Sequence, residues 1–424
     1  MNAIAYSPGR AARFYVPLLL QAFSQSLTYP LVGSITSHGP DGVDALTAFT
    51  LGQVIQFMIG ALGGGLIMTG MVFAKTHRGL ASFVRLNTMM MVALLAVQAL
   101  VCVHPIDTLC FERLLNLPPH LADIARRTTL FGLIMQAGFF MRNVPLVVLY
   151  NAYASSEANV ATIARILLKL AFAVAFPHFG WTGPDWGMVA LTVPVILEWL
   201  ISEAFAVKYR RRLPDGDVAS VMEQFRFTVP LSVGAGLLAV SPFVTAAFVG
   251  RTPNATDMLA IHYVTLGIAN PVSYAALRMQ AVSIQFPPEW KGDRRLLKFA
   301  VVSGALLGLI PFAFSTPIVG NWYYGGCQNV PSRLLPVTRL VSFLYSFICI
   351  IHAVRGRVEG LAAIRKRPSA VMAGQFAYFG ALTVSLAAMV PMDVPGWTMA
   401  LVAIYVAPVA ATAATYAWLH RFDT

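Results

Sequence analysis

The sequence predicts an all-α integral membrane protein of twelve transmembrane helices, arranged as two six-helix repeats. Three observations predict it. The composition is 57% hydrophobic and only 11% charged, whereas soluble domains carry roughly a quarter charged residues. The apolar residues fall in runs of about 20 or more, enough to cross roughly 30 Å of hydrocarbon. The chain of 424 residues also begins twice: Arg13, Phe14, Tyr15, Val16, Pro17 and Leu18 return as Arg226, Phe227, Thr228, Val229, Pro230 and Leu231. Asp44, Ala45 and Leu46 return as Asp257, Met258 and Leu259, and Pro105 and Ile106 as Pro317 and Ile318. An ordered series at a nearly constant offset, close to half the chain length, is an internal repeat. It predicts an N-terminal lobe over 1–213 and a C-terminal lobe over 214–424.

The predicted spans of the first lobe are 14–36, 45–73, 82–103, 128–150, 158–179 and 187–207. Those of the second are 226–249, 257–285, 296–316, 334–354, 369–390 and 396–419. The apolar runs are unbroken rather than alternating, which selects helices over barrel strands. Pro17, Pro145, Pro194, Pro230, Pro271, Pro311 and Pro408 lie inside spans. There each removes a backbone donor and tends to kink its helix. Gly60, Gly63, Gly64, Gly65 and Gly70 smooth the second span for close packing. No strand precedes them and no Lys-Ser/Thr pair follows, so they form no phosphate loop.

Lys and Arg accumulate on cytoplasmic loops, and here they fall on alternate connections. Arg10 and Arg13 precede the first span; Lys75, Arg78 and Arg85 follow the second; Lys208, Arg210, Arg211 and Arg212 follow the sixth. Lys291, Arg294, Arg295 and Lys298 follow the eighth, and Arg355, Arg357, Arg365, Lys366 and Arg367 the tenth, read by composition as a positive-inside loop. Both termini are therefore expected in the cytoplasm, in a multi-pass cell (cytoplasmic or inner) membrane protein. The net charge of +12 fits anchoring beside anionic lipid and requires no nucleic acid. Six crossings preserve orientation, so the two lobes should be related by an axis along the membrane normal, enclosing a central cavity. The first span is too long for a signal-peptide core. Cys102, Cys110, Cys327 and Cys349 lack metal-binding spacing, and Cys110 and Cys327 are expected as unpaired thiols. No Asp-rich metal motif, activated nucleophile or nucleotide loop is present, so no enzyme, no cofactor and no metal site is expected.

An ionisable side chain at a helix centre costs about 2.5 to 3.5 kcal/mol on insertion scales and tends to face a cavity or a partner. Arg142, Glu198 and Arg278 lie deep in predicted spans, and the cationic surplus points to an anionic substrate. Either arginine could instead be a fixed partner of Glu198. Arg165, Lys169 and Glu203 lie near the inner face, where snorkelling into the headgroups is the expected reading; Lys169 is also a candidate partner for Glu198. The amides of Gln21, Gln25, Gln53, Gln56, Gln136 and Asn270 either line a polar path or bridge helices.

Two lobes that each open with an aromatic-x-Val-Pro-Leu helix, followed by a proline near its outer end, resemble the multidrug, oligosaccharidyl-lipid and polysaccharide exporter (MOP) superfamily. Within it, Arg355, Gly356, Arg357, Val358, Glu359 and Gly360, followed by Arg365, Lys366 and Arg367, are similar to a pattern of the progressive ankylosis proteins. Glu198, about a dozen residues before Tyr209 and Arg210, resembles a further feature of that group. The resemblance implies a MATE-like fold and export of small anions such as pyrophosphate, citrate and nucleotides. It also extends the tenth helix to about Ile364, placing Arg355, Arg357 and Glu359 at the inner mouth of the cavity. Two departures stand out: no arginine ends the fourth helix, where Leu149, Tyr150 and Asn151 stand, and the first helix lacks the acid of cation-driven drug exporters.

The expected function is transport of an anionic small molecule, an organic anion or a phosphate compound, by alternating access through a basic central cavity. The expected substrate ligands are Arg142, Arg278, Arg355, Arg357, Asn270 and Gln56, with Glu198, Glu359 and Lys169 as coupling or ion-pair residues. The alternative is a flippase for a lipid-linked saccharide or another phosphate-bearing lipid. A monomer in the bilayer is expected in either case.

Overall fold

The computed structural model describes residues 6–39, 42–115, 117–216, 219–290, 292–328 and 330–421. Lys291 and the side chain of Gln25 lie outside the described residues. All regular structure among those described is helical. Helices occupy the twelve predicted positions. In the first half they are α1 (Pro8–Ser37), α2 (Gly42–Ala61, resumed as Leu66–Phe73), α3 (His77–Val101), α4 (Pro119–Asn151), α5 (Ser155–His178) and α6 (Pro184–Arg210). In the second they are α7 (Val221–Val249), α8 (Ala255–Leu277, resumed as Met279–Gln285), α9 (Arg295–Ser315), α10 (Leu335–Tyr345, resumed as Ile348–Ile364), α11 (Pro368–Met389) and α12 (Gly396–His420). By length and composition, 10 of them can cross a membrane. The other two positions hold α1, of 30 residues, and α8, whose first segment has 23.

The fourth helix begins earlier than hydropathy predicts, at Pro119, because Asp123 caps the charge of Arg126 and Arg127 within its first turns, at 2.6 and 3.1 Å. The tenth runs to Ile364, as the resemblance implies. Two seven-residue π-helical turns that hydropathy did not predict, Thr108–Leu114 and Asn321–Cys327, precede α4 and α10. Their spacing in the chain is in step with the repeat.

The chain forms two compact units. One comprises Met1–Phe23 with Leu237–Thr424, the other Ser24–Gly236; they are called here the C unit and the N unit. They differ from the chain-order lobes by an exchange: the start of α1 belongs to the C unit and the start of α7 to the N unit. Inside the C unit, Tyr15 of α1 donates its hydroxyl to the Ala275 carbonyl at 3.2 Å and meets Phe299 edge-on. Inside the N unit, Thr228 of α7 bonds Thr69 of α2 at 2.7 Å, and Phe227 meets Phe73 edge-on.

The N unit is organised around α4, which packs on α2, α3 and α6. Gly60 of α2 makes room for Gln136 of α4, and Gly132 of α4 makes room for Gln56 of α2; a Cβ at either glycine would collide with the opposing amide. Gln56 then donates to the Gly132 carbonyl at 2.9 Å. The glycines of α2 thus serve close helix contact. Asn87 and Gln98 of α3 likewise donate to the Phe140 and Thr129 carbonyls of α4, at 2.9 and 2.8 Å. These amides bridge helices, where each such bond contributes about 1 kcal/mol. In the C unit, α11 packs along α12, while α10 packs on α8 and α9.

Candidate functional site

Glu198 is fully buried on α6, one turn after Pro194. Three donors converge on its carboxylate. Arg142 of α4 and Arg165 of α5 both reach Oε2 through Nη1, Arg165 at 2.8 Å. Thr162, one turn before Arg165 on α5, donates to Oε1 at 2.7 Å. All of these partners donate, the arrangement of an ionised carboxylate. Lys169, one turn further along α5, lies within the electrostatic reach of Arg165, Glu198 and Arg142. Arg142 also stacks over Phe139, 4.8 Å from the ring centroid, and its buried Nε has no hydrogen-bond partner among the described residues.

The snorkelling reading of Arg165 and Lys169 is corrected here: they are 1% and 3% exposed. Protein covers them, so their charges are answered within the N unit and not by headgroups. Glu203 behaves differently, pairing with Arg210 at 2.8 Å on a partly exposed surface.

The C unit holds a second buried cluster. Arg355 of α10 donates through Nε to Glu359 Oε1 at 2.8 Å, one turn along the same helix, and through Nη2 to Gln375 Oε1 of α11 at 2.6 Å. Gln375 returns a bond to Glu359 Oε1 at 3.1 Å, and Gln280 of α8 donates to Oε2. Tyr378 of α11 lies under the Arg355 guanidinium, 4.9 Å away. Close approach of α8 to α10 depends on Gly356 and Gly360, since a Cβ there would stand 2.7 Å from the Leu277 carbonyl and 2.6 Å from that of Gln280. Here one cation meets one carboxylate.

The remaining expected ligands are dispersed within their units. Arg278 is half-buried at the break between the two segments of α8. Asn270 is half-buried one residue before Pro271, and Arg357 is half-buried on α10, its Nε unbonded among the described residues. Gln56 is engaged in the α2–α4 contact. Among the described residues no group of three His, Cys, Asp or Glu side chains is placed to hold a metal, and all four cysteines are free.

No protein-family model matches the sequence, and no curated protein matches it. Solved structures do match in architecture. A mutant of the Vibrio cholerae MATE transporter VcmN aligns with a TM-score of 0.72 at 16% identity, over 97% of both chains. The chain has the MATE fold. An outward-facing multidrug resistance MATE family transporter of the MOP superfamily aligns at 0.66 and 14% identity, over 99% of this chain and 97% of its own. A MOP superfamily transporter from Pyrococcus furiosus aligns at 0.64 and 12% identity, over 97% and 95%.

Within this MATE fold, the two clusters occupy corresponding places in the repeat. Arg142 and Arg355, Thr162 and Gln375, and Arg165 and Tyr378 all share one offset, the same that separates Asp44 from Asp257. Reading the ends of the fourth-type helices hid this, because Leu149 to Asn151 were matched against Arg355. The offset of the repeat itself pairs Arg142 with Arg355. Thr162, Gln280, Gln375 and Tyr378 carried no signal as single neutral residues.

Proposed function

We propose that this protein is a membrane transporter that moves an anionic small molecule by alternating access, using Arg142, Arg165 and Lys169 as its principal anion-binding group. One observation carries the reading: among the described residues of this buried cluster, Arg142 and Arg165 both reach the single carboxylate of Glu198, and Lys169 is buried one turn along α5 from Arg165. Burying uncompensated charge is costly, so a site with excess cations favours an anionic guest. Among the described residues the Arg142 Nε is unbonded and is a donor such a guest could use. A charge-assisted bond of this kind contributes about 1.5 to 3 kcal/mol.

The MATE fold is compatible with such a site, since the Pyrococcus furiosus transporter is described as having a binding pocket of reverse polarity and a different function. The resemblance to progressive ankylosis proteins supplies the substrate class to try first, small carboxylate and phosphate anions. The alternate-loop pattern of Lys and Arg supports both termini on the cytoplasmic side. Arg355 is matched one to one by Glu359, while Arg278 and Arg357 are candidates for secondary contacts.

Uptake of labelled citrate and pyrophosphate into liposomes containing the purified protein tests the reading. Arg142→Gln is expected to remove uptake of a transported anion while the protein still inserts and purifies. Arg333→Gln is the control, because Arg333 pairs with Asp257 at 2.8 Å with most of its side chain exposed. Uptake that survives Arg142→Gln, or falls equally with Arg333→Gln, removes the assignment.

A further inference from the structure

We infer that the cavity lined by Arg357 is a binding site for an anionic membrane phospholipid, whose headgroup phosphate sits on the Arg357 guanidinium. This site shares no residue with the Glu198 cluster, and its occupancy is independent of the anion-transport reading.

The cavity lies inside the C unit, between the start of the chain, the α8–α9 connection and α10, and encloses about 250 Å³ with its mouth included. Two charged side chains line it, Asp293 and Arg357. Asp293 is fully engaged: besides two bonds from the Arg295 guanidinium, at 3.1 and 2.9 Å, it accepts the backbone N–H groups of Arg295 at 3.0 Å and Glu289 at 3.3 Å. Those bonds use the acceptor capacity of a carboxylate. Arg295 is equally committed, since it also pairs with Glu289 at 3.0 Å and lies over the Trp290 and Tyr6 rings, 4.3 and 5.1 Å from their centroids. Arg357 differs, because its buried Nε is unbonded among the described residues. A buried donor left without an acceptor is costly, and the carboxylate that shares the cavity has no lone pair to spare. The side chains of the cavity therefore leave that acceptor to a guest.

The walls select the kind of guest. Pro287 and Pro288 have no N–H to donate, and Phe286, Leu296 and Leu361 are apolar, Leu361 standing one turn after Arg357 on the same face of α10. A small hydrated anion gains little from such walls, whereas the glycerol and upper acyl carbons of a lipid lose water against them. The surroundings fit the headgroup level. Arg294 and Lys298 are exposed beside the cavity lining, on one of the Lys- and Arg-rich connections expected in the cytoplasm, and Tyr6 and Trp290 carry the amphipathic rings that favour the membrane–water interface. Basic pockets between membrane helices on the cytoplasmic side hold anionic headgroups. Phosphatidylglycerol matches this chemistry: its phosphate brings acceptors to Arg357, and its headgroup carries no ammonium to oppose the arginine.

Native mass spectrometry of the purified, delipidated full-length protein, titrated with phosphatidylglycerol, measures the first lipid-binding event. The wild type is expected to bind phosphatidylglycerol at least about fivefold more tightly than phosphatidylcholine, whose headgroup has no net charge. Arg357→Gln should weaken the first event by about tenfold or more. Arg294→Gln removes a neighbouring exposed charge outside the cavity lining and should weaken it by less than about twofold. Leu361→Trp keeps the charge but fills the cavity, so it should abolish the first event, and it covers the case in which Arg357→Gln does not fold. The free headgroup, glycerophosphoglycerol, lacks acyl chains and should compete only at more than about a hundredfold higher concentration. Equal affinity for phosphatidylcholine, an equal loss with Arg294→Gln, or a first event unchanged in Arg357→Gln or Leu361→Trp overturns the site. Competition by glycerophosphoglycerol at matched concentration overturns the lipid and makes the cavity a site for a soluble phosphate compound. Because no cargo is moved in this measurement, its outcome is read apart from that of citrate and pyrophosphate uptake.

Discussion

Arg142 and Arg355 occupy the same position in the two halves of the repeat, and each reaches a buried glutamate within its own compact unit. The glutamates themselves are not repeat-related. Glu198 comes from α6, the sixth helix of its half, and ties α4 and α5 to it. Glu359 lies one turn after Arg355 on the same helix, and its ties run to α8 and α11. One arginine position has therefore been neutralised in two ways: one glutamate for one arginine in the C-unit cluster, and one glutamate shared by two arginines in the N-unit cluster.

Glu198→Gln keeps the size of the side chain but removes the sole carboxylate described in its cluster. Two guanidiniums would then be buried without a counter-charge. Breaking one side of such a pair costs about 3 to 5 kcal/mol. The apparent unfolding temperature in detergent should drop clearly, and more than for Glu203→Gln, whose pair with Arg210 is partly exposed. Equal thermal stability of these two variants would show that the Glu198 cluster holds no helices together.

A second prediction concerns the interlock of α2 and α4. Gly132→Val places a branched side chain against Gln56, which already uses its amide to bond the Gly132 carbonyl. Overpacking at a tight contact costs about 1 to 3 kcal/mol. Shortening the opposing residue should restore part of it, so Gly132→Val with Gln56→Ala is expected to melt above Gly132→Val alone. Additive losses in the double variant would place the strain elsewhere.

Much of the fold was legible because lipid imposes one simple rule on every span, a run of about 20 apolar residues. The limits of α4 and α10 were less so. Arg126 and Arg127 look like a loop to a hydropathy window, yet Asp123 balances them inside the helix. Arg355, Arg357 and Glu359 look like a positive loop, although two of the three pair internally and are buried. The cluster was partly legible: Arg142 and Glu198 stood out as deep charges, while Arg165 and Lys169 lay where a snorkel was the simpler reading. Which way a side chain turns depends on the neighbouring helix, and a single sequence does not record that contact.

The connection between α8 and α9 carries a pH prediction. Asp293 accepts two side-chain bonds from Arg295, at 3.1 and 2.9 Å, together with backbone N–H bonds, and these hold its acidity near a pKa of about 2. An unfolded aspartate titrates near about 3.9. The lowered value means that the contact contributes fully above about pH 4 and is lost as pH falls toward about 2. Trp290 stacks on Arg295 at 4.3 Å and reports on it. A variant retaining Trp290 as its one tryptophan should change emission across that acid range and stay constant between neutral pH and about pH 5. A midpoint near the ordinary aspartate value would mean that the bonds to Arg295 do not persist.

The last prediction separates the two clusters by their charge balance. In the C unit, Arg355→Met leaves Glu359 buried with only the amides of Gln280 and Gln375 as described partners, and Glu359→Leu leaves Arg355 with Gln375 and the Tyr378 ring. Either single change should be strongly destabilising. Removing both leaves no stranded charge, and replacing a whole buried pair by apolar residues is often neutral or better. Arg355→Met with Glu359→Leu should therefore recover most of the stability lost by either alone. The N unit should not behave this way. Arg142→Met with Glu198→Leu still strands Arg165 and Lys169, so the double variant is expected to be as unstable as Glu198→Leu or worse. The measurement is a pair of double-mutant cycles on unfolding temperature, in which the C-unit cycle gives a large favourable coupling. Recovery in both units would mean that Arg165 and Lys169 bear no charge demand, and the excess on which anion binding depends would not exist.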